Sequence, residues 1–120
     1  MPGIFFPSSK PRFVDPKEII EKLKDTALNV ARADHNVMAI YLFGSHTQGN
    51  AALHSDADIL VVLKKDSRPW LERQDEYILA FADAPVPVDV LVYTKEELDA
   101  ALKKGNSFLS AAIAGINLLS

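Results

Sequence analysis

Three short apolar runs punctuate the chain: residues 37–43 (VMAIYLF), 57–63 (ADILVVL) and 88–93 (VDVLVY). Each is too short for a core helix and rich in β-branched or aromatic residues, so each reads as a strand, the first continuously apolar and buried. Between them the period changes to that of helices. At Asp15-Pro16-Lys17-Glu18, Asp15 can cap, Pro16 suits the first helical position and Glu18 completes a capping box. Ile19 or Ile20, Leu23, Ala27 and Val30 then recur on one face, and the helix should end between residues 33 and 36. Gly44 breaks the first strand, and the small polar residues 45–52 predict a short helix. A second long helix is expected from residues 67–69, carrying Trp70 or Leu71, Tyr77 or Ile78, and Phe81 inward, with Ala84-Pro85 closing it. Thr94-Lys95-Glu96-Glu97 is a further capping box, and Gly105 a C-terminal cap. A last short helix is expected from about Ser107 through residues 116–119. Strands alternating with helices in this order predict an α/β domain on one small sheet.

Residues 1–14 break this rhythm. Pro2, Pro7, Pro11 and Gly3 forbid a helix, while Ile4, Phe5, Phe6 and Phe13 are apolar. The segment reads as an extended arm lying on its own domain or on a partner chain, ahead of one domain at 15–120. A length of 120 residues allows one core. The net charge of -3 argues against broad nucleic-acid binding, which wants a basic face. The chain has no cysteine, which excludes disulfides and thiolate-bound zinc and fits a cytoplasmic setting. The proline-broken start does not read as a signal peptide, and no apolar run could span a bilayer.

Chemistry enters where charge interrupts the strands. Asp56 and Asp58 flank the opening of the second, and Asp89 stands near the start of the third. Side chains alternate along a strand, so Asp56 and Asp58 share a face, where two close carboxylates repel by about 4 kcal/mol at an effective dielectric of 20. A hard cation such as magnesium removes that conflict. If the third strand lies alongside, Asp89 closes the site. A two-ion site would space its metals about 3.5 to 4 Å apart, with Asp58 shared and Asp89 the candidate proton acceptor. Gly44-Ser45 supplies a complementary feature: glycine lets backbone approach a phosphate, and free amides at the start of a following helix favour an anion. Metal beside phosphate points to nucleotidyl transfer.

The segment GSHTQGNAALHSDADILVVL, followed by VPVDVLVY, resembles the minimal nucleotidyltransferases of the DNA polymerase beta superfamily. Their signature is an apolar residue, Gly-Ser, a spacer of about this length, Asp-x-Asp in an apolar strand, and a third carboxylate one strand later. The ending, including Gly105-Asn106-Ser107-Phe108-Leu109, is also similar, so the resemblance spans roughly residues 16–119. It implies a small mixed sheet of three to four strands flanked by helices, the palm-like fold of that superfamily. It implies ATP or another nucleoside triphosphate as substrate, magnesium, and transfer of a nucleoside monophosphate to a hydroxyl. Asp56 and Asp58 correspond to the metal-binding pair and Asp89 to the third carboxylate. Gly44 and Ser45 correspond to the phosphate turn. Many relatives pair with a helical HEPN-domain protein and resemble antitoxins that adenylylate a toxin tyrosine. Such a partner, or a homodimer, is therefore expected. Where relatives carry arginines around the next glycine, this chain has His46 and Gln48, and no Lys or Arg falls between Arg32 and Lys64. Phosphate neutralisation is left to metal, backbone amides and protonated His46.

Blander readings stand beside these. The aspartates could be solvated strand ends and Gly44-Ser45 a plain turn. His35 would complement a helix C-terminus, and His46 and His54 could be ordinary loop residues. Two other functions share the fold: a non-catalytic module that neutralises a partner by binding, and a small-molecule nucleotidyltransferase whose acceptor site needs a second chain.

Overall fold

The computed structural model describes residues 16–44 and 56–120. The expected arm, the Asp15 cap, the short helix over 45–52, and Ser45, His46, Gln48 and His54 lie outside the described residues. Helix α1 (Pro16–Ala33) leads into strand β1 (Val37–Phe43). Strand β2 (Ala57–Leu63), helix α2 (Trp70–Ala80), strand β3 (Val88–Thr94), helices α3 (Lys95–Lys103) and α4 (Ser107–Ile113), and strand β4 (Ile116–Asn117) follow. The four strands form one mixed sheet in the order β3-β2-β1-β4. β1 is antiparallel to both β2 and β4, and β2 is parallel to β3.

Alternation along the strands divides the core in two. Ile40, Leu42, Ile59, Val61, Leu63, Val90 and Val92 pack against Ile19, Leu23, Ala27 and Val30 of α1 and Tyr77 of α2. Leu60 and Val62 pack on the opposite face against Leu98, Leu109 and Ala112 of α3 and α4. β1 is not continuously buried as expected. Its burial alternates, and Met38 stands exposed where the register slips between Val37 and Ala39. β2, whose neighbours β1 and β3 pair with it along nearly its full length, is the strand buried on both faces.

α2 departs from expectation in its first turn. Tyr77 and Phe81 are buried, but Trp70, Leu71 and Ile78 are exposed. The buried residue of that turn is Arg73. Trp70 lies along the sheet edge, its indole N–H donating to the Val92 carbonyl (3.1 Å), while Gln74 Oε1 accepts from the Val92 N–H (3.2 Å). These side chains occupy the outward hydrogen-bonding groups of an edge strand that could otherwise template a foreign strand.

Helix ends follow the sequence closely. Thr94 accepts from the Glu97 N–H (3.1 Å) and Glu97 Oε1 from the Thr94 N–H (3.0 Å), a complete capping box. Gly105, at φ +83°, follows α3 in the left-handed conformation. Its N–H bonds to the Leu102 carbonyl and that of Asn106 to the Ala101 carbonyl, the pair of bonds that closes a Schellman motif.

The C-terminus corrects the expectation of a helix through residues 116–119. α4 ends at Ile113, and Ile116–Asn117 pairs with Tyr41 and Leu42 as an edge strand. Gly115 explains the change: a Cβ there would collide with the Leu42 carbonyl oxygen, so only glycine lets the chain come against β1. Among the described residues, no helix is long and apolar enough to cross a membrane.

Candidate active site

The sheet gathers the expected residues at one end. β2 and β3 run in parallel, and their register pairs Asp58 with Asp89. β1 arrives antiparallel, pairing Phe43 with Asp58. One row across three strands therefore reads Phe43, Asp58, Asp89, with neighbouring strands about 4.8 Å apart. All three share the face carrying Leu60 and Val62, because each is displaced by an even number of residues from a member of that cluster.

Gly44 follows Phe43 with φ +83°. A Cβ at Gly44 would collide with Oδ2 of Asp58. Both the backbone conformation and the space thus call for glycine, and the turn is held against the carboxylate of the central strand. This is a close backbone approach of the kind that a plain strand-ending turn does not need.

Asp58 is half-buried and Asp89 exposed. Asp56 precedes the first paired residue of β2 and is exposed. The ladder begins one residue later, where the Ala57 N–H donates to the Pro87 carbonyl (2.9 Å). The expected cage of three carboxylates is therefore brought together only in part. Asp58 and Asp89 share a row, while among the described residues no three acidic or imidazole side chains converge closely enough to hold a metal ion. Asp56 lies outside the ladder that would fix it. The oxygen donors of Asp58 and Asp89 nonetheless suit a hard divalent cation, and their like charges in register favour one.

Sequence reasoning missed an aromatic pair beside this row. Phe43 meets Phe108 of α4 edge to face, with ring centroids 5.5 Å apart and planes at 88°. Phe108 is 54% exposed. Nothing in local spacing links residues 43 and 108; the contact exists because α4 folds back over the end of β1.

A small mixed sheet presenting paired aspartates beside a glycine turn is the architecture of a nucleotide-transferring domain. The chain belongs to the nucleotidyltransferase domain family, whose match spans residues 16–111. Among solved structures it is similar to a candidate nucleotidyltransferase from Sulfolobus solfataricus, at 26% identity and a TM-score of 0.57, covering 71% of this chain and 75% of that one. It also shares the fold of a chain in a toxin–antitoxin structure with AMP-PNP, at 21% identity and a TM-score of 0.53, covering 81% of this chain and 73% of that one. No curated protein matches it.

Proposed function

We propose that this domain transfers AMP from ATP to a hydroxyl of a partner protein, a tyrosine of a HEPN-type toxin, with magnesium held by Asp56, Asp58 and Asp89. The observation that carries the reading is the row in which Asp58 and Asp89 stand in register with the Gly44 turn against Asp58. Bound magnesium would offset the charge of both carboxylates and stabilise the charge developing on phosphate oxygens. Gly44 admits the triphosphate close to backbone, and Ser45 and His46 donate to its oxygens. Asp89 accepts the proton of the attacking hydroxyl. The hydroxyl oxygen bonds to the α-phosphorus as the bond from that phosphorus to the β-bridging oxygen breaks, and pyrophosphate leaves. The toxin–antitoxin neighbour, solved with AMP-PNP, supports a toxin as the partner and an adenine nucleotide as the donor.

The test is transfer of labelled AMP from ATP, with magnesium, to a HEPN-domain protein encoded beside this chain. Asp58→Ala should reduce label on the partner to background while the variant still folds, as its circular dichroism shows. Persistent transfer by that variant would overturn the assignment. A second reading, neutralisation by binding alone, draws on the incomplete carboxylate cage and on His46 and Gln48 standing where relatives have arginines. A rise in melting temperature with ATP that requires magnesium speaks against it.

A further inference from the structure

We infer that Phe108 is the stacking platform for the nucleobase, so that the site grips its nucleotide by an aromatic face at one end and by the aspartate row at the other. The inference rests on the nucleotide-transfer reading above and deepens it. Leu109 and Ala112 of α4 are fully buried, yet Phe108, on the same short helix, leaves more than half its surface to solvent. Its position is nonetheless defined, because Phe43 meets it edge to face at 5.5 Å. Phe43 is in turn the register partner of Asp58. The exposed ring is therefore separated from the Asp58 row by a single aromatic side chain, that of Phe43. A nucleotide whose phosphates lie at the carboxylates would extend its base past Phe43 toward this ring. Trp70, another exposed aromatic, is held instead along the β3 edge by its bond to the Val92 carbonyl, in contact with the hydrogen-bonding edge of the sheet and not with the Phe43–Asp58 row. Stacking requires only a π-face, so the platform accepts a purine without reading its edges.

Calorimetric titration of the full 120-residue chain with ATP and with inorganic tripolyphosphate, each with magnesium, tests the assignment. Phe108→Leu keeps apolar bulk against Phe43 but removes the ring. It should raise the Kd for ATP about tenfold, within the range expected for one base stacked on an aromatic side chain, and leave tripolyphosphate affinity unchanged. Phe108→Tyr should restore ATP binding, and GTP should follow ATP in all three proteins. Equal weakening of both ligands, or unaltered ATP binding by Phe108→Leu, overturns the platform. If the unaltered chain binds neither ligand, the nucleotide site itself fails and the platform with it. Binding of both ligands with no effect of the Leu variant removes the platform alone.

Discussion

The two ends of the sheet treat charge in opposite ways. Where β2 and β3 finish, cations and anions interlock. Arg73 reaches across from α2 to Glu97 at 2.5 and 3.2 Å, and Glu97 also caps α3. Arg68 Nη2 pairs with Asp66 at 2.6 Å and its Nη1 with Glu76. Asn36 exchanges two hydrogen bonds with the backbone of Lys65. Where the same strands begin, two carboxylates stand in register and a glycine turn is pressed against one of them. Opposite charges at the first end stabilise the fold. Like charges at the second cost stability, and a fold keeps such an arrangement where a ligand needs it. The proposed site thus falls at the end of the sheet where carboxylates meet in register, a contrast that uses no motif.

Breaking the clamp should have the larger effect on stability, and the two partners should differ. Arg73 is 4% exposed, and its Nε finds no acceptor among the described residues. Glu97→Gln preserves the capping acceptor but leaves the buried guanidinium without its carboxylate, with the Asp66 and Arg68 carbonyls its remaining acceptors, at an expected cost of about 3 kcal/mol. Arg73→Met leaves a carboxylate whose side chain is 43% exposed and can turn to water. Its cost should be smaller, about 1 to 2 kcal/mol. Urea denaturation of both variants measures the difference. Equal losses would mean that packing, not charge, holds this end together.

That clamp was only half legible in the sequence. The Thr94–Glu97 box and Gly105 are local codes, satisfied within a few residues, and they form as their spacing requires. The three strands also stand where their apolar runs lie, because β-branched runs between breakers have few alternatives. The Phe43–Asp58–Asp89 row needed the strand order as well, which no local spacing specifies. Arg73 was invisible because an arginine in a helix ordinarily lies in solvent; its partner is 24 residues away. Ile116–Asn117 was misread as helix because two residues carry no period, and their state is set by β1 and by the room that Gly115 leaves. The exposed Trp70 and Leu71 show the same limit: helical spacing says which residues share a face, not how far the core extends beneath it.

Acid should loosen the clamp before it affects the remainder of the sheet. The hydrogen bond from Arg73 holds the Glu97 carboxyl below its usual value of 4.5, and that from Arg68 holds Asp66 below 3.8. Both groups bind protons more weakly in the fold than in the unfolded chain. Their contribution is therefore complete above those ordinary values and is lost as pH falls through the lower, folded ones. The urea midpoint of the unaltered chain should fall as pH drops from about 5 to about 3, and Arg73→Met should flatten that fall. A slope that the variant leaves intact would assign acid sensitivity to other carboxylates.

The smallest effect is expected at the opposite end, with the opposite sign. Asp89→Asn removes one of two like charges paired across β2 and β3 while keeping the shape of the side chain. Without divalent metal it should raise stability by about 1 kcal/mol, well under the full repulsion of two close carboxylates because Asp89 is exposed and screened. With magnesium the order should reverse. The unaltered chain gains melting temperature as the ion binds the native state, and the variant, one carboxylate short, gains less. Thermal melts with and without magnesium read both halves. A variant that is less stable in chelator would show that Asp89 serves the fold, and the asymmetry between the two ends of the sheet would lose its functional meaning.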